Sequence, residues 1–511
     1  MLHALRRPRP LSWGLAGLFA ALYACVAVNR HRRMLTQAYD LGIFEQAVRA
    51  YAHGEAPVVL LKGPGYQLLG DHFHPLLATL APLYRLFPSA VTLLLAQAVL
   101  MALAVVPLAR WAFDVGGPRL AVLVGGLTGA SWGIVEAVAD DFHEIAFAVP
   151  LLAFAATALG RGRPVAAVLW ALPLVLVKED LGLTVAVVGA LVFVRAGKGS
   201  GTRALGFGVA VFGLAATALT VLVVLPSFNP DGGFDYWGQM GTREAAGAPW
   251  EVAGRLVWPP LKWLLLGLAA ATAGFLGLRS PLALLCVPTL GWRLAADNSH
   301  YWGVSYHYSA VLMPLLLAAL VDAVRRTGAF AGPEPGSEPG SGPGSGPGRV
   351  LARGRAAGPH RAAVRRARRA LAVAGLVALV TLPVYPLHEL VAPGAWGTSP
   401  RLERARSMLA RIPDGATVAA SNRLAAHLAG RTTVGLVCRE PSPPLVEPMS
   451  GEAPSAGVVR GGPEWVVVDL ADPSVQAPCA IADTRRMLDR YERLGYRRVV
   501  DDGDLRLLGH P

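Results

Sequence analysis

Residues 90–108, AVTLLLAQAVLMALAVVPL, contain no charged side chain. A helix over this stretch rises about 1.5 Å per residue and so covers roughly the 30 Å of hydrocarbon in a bilayer. Its solvent is therefore expected to be lipid. The stretch belongs to a run at 89–113, and comparable runs recur on both sides of it, at 11–28, 118–136, 145–160, 164–177, 181–195, 204–226, 257–277, 281–294, 308–324 and 370–388. The rhythm predicts a mostly α, polytopic membrane bundle of about eleven transmembrane helices. Two runs, 164–177 and 181–195, are short enough for a tilted pair or a re-entrant hairpin about Lys178-Glu179-Asp180.

Composition agrees with the runs. Of 511 residues 53% are apolar and only 16% charged, with a mean hydropathy of +0.44, too apolar for a soluble chain of this length. The net charge of +13 would suggest nucleic acid in a soluble protein. Here the arginines fall in short loops and one long linker, without the interleaved aromatics of a nucleic-acid surface, so no nucleic-acid partner is expected. With a cytoplasmic N-terminus, the inner loops collect Arg110, Arg119, Arg161, Arg163, Arg195, Lys198, Arg203, Arg279 and the arginines from Arg325 to Arg369. Arg30, Arg32 and Arg33 break this rule, because they follow the first span on the outer side. The basic N-terminus and the run from Leu11 to Val28 imitate a signal peptide, and a retained first helix is expected.

The organisation follows. Residues 1–326 form a multi-span membrane domain, 327–369 a disordered Gly/Pro/Ser and basic cytoplasmic linker, 370–388 the last span, and 389–511 an extracytoplasmic α/β domain. The linker contains the repeat AGPEPGSEPGSGPGSGPG at 331–348, and its basic part suits anionic headgroups, which makes membrane lipids the first partner. In the last domain, strands are expected at Thr417–Ala420, Thr432–Val437 and Trp465–Asp469. Helices are expected at Arg423–Ala429 and Ala482–Leu494, and a hairpin from Arg497–Val500 to Leu505–Leu508. Cys438 and Cys479 lie in this domain, where an outward location permits a disulfide, while Cys25 and Cys286 are expected to be packing residues in apolar runs.

The polar residues of the membrane part gather in the outer loops. In the first loop, Leu41, Phe44 and Val48 make an apolar stripe suited to an interfacial helix, and Asp71 or His74 is placed to cap the turn begun by Pro75. His72 and His74 beside a membrane are costly unless wet, bonded or ligating. The second loop packs Glu136, Asp140, Asp141, His143 and Glu144 together, a donor set suited to a divalent cation such as Mg²⁺ or Mn²⁺, or else a solvated acidic turn. Lys178, Glu179 and Asp180 need partners at the same face, as an internal ion pair or as part of a site. Asn298, His300, Tyr301, Trp302, His307 and Tyr308 gather before the tenth span, either as a site or as an interfacial aromatic belt.

The blocks YDLGIFEQAV (Tyr39–Val48), GDHFHPLLATLAPLYRLFPS (Gly70–Ser89), LLLAQAV (Leu93–Val99), DFHEIAF (Asp141–Phe147), VKEDLGL (Val177–Leu183) and YHYSAVLMP (Tyr306–Pro314) resemble the bacterial membrane family known as domain of unknown function 2079. AASNRLAAHLAGR and EWVVVDL resemble that family's outer domain more loosely. The family is similar in plan to the GT-C superfamily of membrane glycosyltransferases. That resemblance implies a sugar passed from a polyprenyl-phosphate donor to an acceptor at the outer face. It makes Asp40 the matching catalytic base and Asp140, Asp141, His143 and Glu144 the matching metal-site residues. Lys178 and Arg293 become candidates for the leaving phosphate, beside a substrate-binding set of His72, His74, Glu179, Asp180, His307 and Tyr308. The sequence has no Asp-x-Asp in the second loop. Two other functions fit the same residues: a transporter or flippase of a polar or lipid-linked solute, and a non-catalytic envelope scaffold.

Overall fold

In the computed structural model the described residues are 7–234, 236, 254–330, 347–438, 462–471 and 478–510. The expected repeat linker at 331–346 lies outside them.

Helix α1 (Pro8–Arg32) opens with proline in its first turn, where a missing N–H costs nothing, and closes on the basic residues Arg30, His31 and Arg32. It packs along the helical stretch Ala90–Gly129. That stretch is two spans folded back on one another. Gly116 and Gly117 leave helical geometry, Gly117 at φ +75°, so that Gly125 returns beside Ala109 and Val105. The turn falls between the expected spans at 89–113 and 118–136. Tyr23, buried in α1, donates to the Gly129 carbonyl at 2.5 Å and ties the returning arm to it.

Among the described residues, four helical stretches are long and apolar enough to cross a bilayer: Pro8–Arg32, Ala90–Gly129, Gly201–Phe228 and His307–Arg326. Shorter apolar helices occupy Ile145–Gly160, Pro164–Leu176, Leu181–Arg195, Leu261–Thr272 and Pro281–Ala295, at other expected spans. The expected count of eleven is thus not established by helix length. The two short runs at 164–177 and 181–195 are helices, the first tightening into a 3₁₀ turn at Leu172–Leu176. Leu181–Arg195 packs on Gly201–Leu219 through glycines on both sides, Gly182 against Gly213 and Gly189 against Gly206, a close approach that apolar packing in lipid rewards. Pro347–Thr381 is one continuous helix. Residues 347–369 are therefore helical where a disordered linker was expected, because the arginines and alanines that follow the repeat are good helix formers and join the last span without a breaker. Cys286 is buried as expected, whereas Cys25 is exposed on the flank of α1.

Contacts sort the loops to two ends. Asp114, Arg161, Arg195, Asp322 and Arg325 meet at one end, with Arg161 to Asp114 at 2.5 Å and Arg195 to the Leu159 carbonyl at 2.9 Å. Asp40, Asp71, Asp140, Lys178 and His307 meet at the other. The C-terminal domain sits on this second end, here termed the domain end.

That domain is a five-stranded sheet of order β2-β1-β3-β5-β4, with β1 Thr417–Ala420, β2 Thr433–Leu436, β3 Trp465–Asp469, β4 Arg497–Asp502 and β5 Leu505–Gly509. β1 runs parallel to β2 and β3, and β5 runs antiparallel to β3 and β4, the last pair being the expected hairpin. Alternation along the strands decides what each face meets. Val418, Ala420, Val434, Leu436, Val467 and Leu507 face the bundle and the helix Pro400–Leu409, joining the main core. Ala419, Val466, Val468 and Leu508 face the helix Ile481–Arg493 through Met487, Leu488 and Tyr491. Cys438 and Cys479 are joined in a disulfide.

Candidate active site

The first outer segment is held from both sides before it reaches Asp40. Helix α2 (Ile43–His53) lies between the bundle and the sheet: Gln46 donates to the Val434 carbonyl at 2.8 Å, and Arg49 donates to the Thr432 carbonyl at 3.0 Å. Leu41 and Val48 of its apolar stripe are fully covered by protein, so the stripe expected to lie in the lipid interface faces the core instead. Just before it, Asn422 of the outer domain accepts from the Tyr39 backbone N–H at 2.9 Å and donates to the Gln37 side chain at 3.0 Å. Asp40 sits in the single π-turn so fixed, with its carboxylate about one-third exposed (35%).

The second loop splits two adjacent acids between opposite tasks. Asp141 takes φ +61°, a left-handed conformation that aspartate tolerates better than most residues. Its carboxylate accepts the Gln37 N–H at 2.7 Å. Asp140 points elsewhere and accepts both the backbone N–H and Nδ1 of His307 at 2.9 Å. Gln97, from the helix below, fixes this turn: it accepts the His143 N–H at 2.9 Å and donates to the carbonyls of Ala137 and Asp141.

His143 is where the loops converge. Its Nε2 lies 3.4 Å from Asp40 Oδ1, and its ring stacks on His307 at 3.6 Å between centroids. Burial opposes charge on this imidazole, but the hydrogen bond and charge of Asp40, with Asp140 and Glu144 nearby, outweigh it and carry its pKa up to about 9. Burial, reinforced by the charge of Asp40, pushes the Asp141 carboxyl well above the usual range.

A second layer of ion pairs surrounds this cluster. Glu144 receives Lys178 at 2.8 Å, and although burial resists ionisation, the lysine holds the carboxyl well below its usual range. Glu179 receives His72 at 2.8 Å and the Phe73 N–H at 3.3 Å. Asp180 accepts Trp292 Nε1 at 2.9 Å. None of the three consecutive charges at 178–180 is paired with another; each reaches a different segment. Asp71 caps no helix: it pairs with Lys62 at 2.9 Å and accepts the Tyr236 hydroxyl at 3.2 Å. His74 does not cap the turn at Pro75 either. It is buried against Phe44 with Nδ1 unpaired, and burial lowers it to about 4, so it packs as a neutral ring.

Arg293 is fully buried and spends its donors on the carbonyls of Tyr301, Gly303 and Tyr308 and on Ser309 Oγ at 3.1 Å. It builds the loop that presents His307 rather than facing an open site. Tyr308 packs its ring on Tyr301, Trp292 and His307 in the same loop.

A profile of the DUF2079 family, described as a predicted membrane protein, matches residues 30–442. The chain belongs to that family. No curated protein matches the chain. Among solved structures, the crystal structure of ArnT from Cupriavidus metallidurans in the apo state is similar at a TM-score of 0.50, with 15% identity, over 98% of each chain. At that identity the likeness is one of fold. With the family match, it establishes a multi-pass membrane protein with a mostly helical, ArnT-like fold and a small C-terminal sheet domain. The six blocks from Tyr39 to Pro314 and AASNRLAAHLAGR lie within the family match, while EWVVVDL lies beyond it, and five blocks supply residues of the cluster or its ion pairs: Asp40, Asp71, Asp141, Lys178 and His307.

The DUF2079 chain has one group of side chains suited to a metal among the described residues: Asp140, His143 and His307, whose ligand atoms lie within 4.8 Å of one another. Nδ1 of His143 is buried without a hydrogen-bond partner. Asp141 and Glu144 are occupied by Gln37 and Lys178 and do not join it, while His307, expected beside substrate, does. Two imidazoles and one carboxylate suit Mn²⁺ or Zn²⁺ better than Mg²⁺, which prefers oxygen. Asn422, Gln97, Lys62 and Tyr236 escaped the sequence reading. Asn422 and Gln97 carried a signal, as parts of the AASNRL and LLLAQAV blocks.

Proposed function

We propose that this protein is an inverting membrane glycosyltransferase that moves a sugar from a polyprenyl-phosphate donor to an acceptor hydroxyl at the outer face, with the N-terminus in the cytoplasm. The observation that carries this reading is the meeting of Asp40 with His143, His307 and Asp140, drawn from three separate loops onto one end of a GT-C-type bundle. Asp40 is the only one of these acids with a substantially exposed carboxylate, as an acceptor hydroxyl requires.

In the reaction the acceptor oxygen attacks the anomeric carbon from the face opposite the phosphate. The carbon–oxygen bond to phosphate breaks, its electron pair leaves with the polyprenyl phosphate, and the acceptor proton passes to Asp40. His143 orients the Asp40 carboxylate from 3.4 Å. Lys178 is half of a nearly buried pair whose ammonium has donors beyond the one given to Glu144, and it is placed to stabilise the leaving phosphate. A divalent ion would be held by Asp140, His143 and His307 and would supply the same electrostatic service.

The test is transfer by purified protein in detergent, with a panel of labelled polyprenyl-phosphate sugars. The wild type releases or transfers sugar from one donor, and Asp40→Asn loses roughly 10²–10⁴-fold in turnover while its thermal unfolding is unchanged. Full activity in Asp40→Asn, or solute movement seen only in sealed vesicles, contradicts the reading.

A further inference from the structure

Arginines gather at both ends of the bundle, and the positive-inside preference accounts for one end only. At the far end, Arg161, Arg163, Arg195, Arg325 and Arg326 surround a cavity of about 840 Å³. These are the loop arginines that topology demands, and most already have acids: Asp114 for Arg161, and Asp322 for Arg325 and Arg326. The domain end carries a second group that topology does not demand. A cavity of about 720 Å³ between the end of α1 and the outer domain is lined by His31, Arg32, Arg33, Arg406, His427 and Arg431.

The partners of these six groups show what is missing. Arg30, one turn earlier, is satisfied by Glu389 at 2.5 Å and by the Ala139 carbonyl. Arg431 is spent on the carbonyls of Leu409 and Ile412 and on Asp414. Among the described residues, Arg406 donates only to the backbone carbonyl of Arg32. Arg32 and Arg33 pair with no acid among the described residues, and no carboxylate lines the cavity among them. Three guanidinium groups thus face one space without a counter-charge. His427 stacks on His31 at 4.3 Å between centroids, and its buried Nε2 has no hydrogen-bond partner. Burial, with His31 and Arg406 beside it, lowers that imidazole to about 3 and keeps it neutral. A buried ring nitrogen left unpaired is unfavourable, so the arrangement calls for a partner that the described residues do not supply. The remaining lining is Trp396, largely exposed, with Leu402 and Leu409, an apolar flank at the level where the first span leaves hydrocarbon.

We propose that this cavity binds a phosphate group, clamped by the guanidinium forks of Arg32, Arg33 and Arg406 and hydrogen-bonded by Nε2 of His427. Guanidinium forks match the paired oxygens of a phosphate monoester or diester, and three uncompensated charges favour such an anion over a neutral headgroup. The group comes either from an anionic lipid headgroup at the bilayer edge or from a free phosphate in solution. The site is independent of glycosyl transfer, because none of its residues belongs to the Asp40 cluster.

Two probes test it on the full-length protein in neutral detergent: phosphatidylglycerol against phosphatidylcholine by native mass spectrometry, and inorganic pyrophosphate by calorimetry. At least one anionic probe binds, and the double substitution Arg32→Gln, Arg33→Gln weakens it by about tenfold or more, whereas Arg161→Gln, Arg163→Gln leaves that component unchanged. Loss confined to phosphatidylglycerol assigns a lipid headgroup, and loss confined to pyrophosphate assigns a soluble phosphate. Thermal unfolding of each variant separates lost binding from lost fold, and the pair Arg32→Lys, Arg33→Lys, which keeps charge without the fork, binds at an intermediate strength. Absence of pyrophosphate binding together with equal retention of the two lipids by the wild type, or wild-type binding by the glutamine double variant, overturns the proposal.

Discussion

The two ends of the bundle use charge in opposite ways. At the domain end, Glu144 and Lys178 pair with side-chain exposures of 3% and 13%, and Glu179 receives His72 at 6% and 17%. At the far end, Arg161 and Asp114 are 23% and 52% exposed, and Arg325 and Arg326 are nearly half exposed around a buried Asp322. Rim charges of the second kind contribute about 0–1 kcal/mol each and are explained by membrane topology. Buried pairs of the first kind cost several kcal/mol per ion in desolvation before their attraction repays it. Stability alone gives no reason to build them, and their collection around Asp40 is what the proposed transfer reaction would require.

The largest effect expected from this contrast is at Lys178. Replacing it by Met leaves Glu144 buried and unpaired, which should cost about 3–5 kcal/mol in unfolding free energy, while Arg325→Gln at the far end should change it by no more than about 1 kcal/mol. Equal effects at both positions, measured by thermal or denaturant unfolding, would erase the distinction. Glu45 sharpens it next. Burial raises its carboxyl to about 7, despite the Tyr84 hydrogen bond at 3.0 Å and the charge of Arg49. A raised acid pKa means the folded form holds its proton longer than the unfolded form. The stability is therefore fully present below about pH 4.5, and up to roughly 3 kcal/mol is lost as pH rises through about 7. Glu45→Gln should remove that component of the pH profile. The position is tightly enclosed, since a Cβ on Gly430 would come within 2.5 Å of its carboxylate, and Gly430→Ala should therefore loosen the docked outer domain.

The smallest effect belongs to Asn422, which touches no reacting group. Asn422→Ala frees the Tyr39 N–H and the Gln37 side chain on either side of Asp40, and is expected to lower turnover by about tenfold with KM nearly unchanged. A parallel rise in KM would show that the residue contacts substrate instead of positioning the base.

The sequence revealed what depends on composition and periodicity. Uncharged runs marked the helices, and the return of acids and histidines after alternate runs placed Asp40, Asp140 and His307 at one end, where the structure finds them in contact. The strand-like apolar run at Trp465–Asp469 and the hairpin about Asp501-Asp502-Gly503 were legible for the same reason. Side-chain direction was not legible. Asp140 and Asp141 are chemically alike, and only the left-handed backbone at Asp141 turns one toward Gln37 and the other toward His307. Arg293 looked like a phosphate ligand because a buried cation needs a partner, yet backbone carbonyls can fill that need and do so here. Asn422 and Gln97 act on residues far away in the chain, through contacts that no local pattern encodes.

The account depends most on the domain end facing outward. Single cysteines at Asp40 and Tyr306, and at Lys198 and Arg325 on the far end, can be introduced with Cys25 and Cys286 replaced and labelled in intact cells with a membrane-impermeant thiol reagent. The first pair should react from outside and the second only after the membrane is opened. Labelling of positions 198 and 325 in intact cells, with 40 and 306 protected, would put the Asp40 cluster in the cytoplasm and contradict transfer at the outer face.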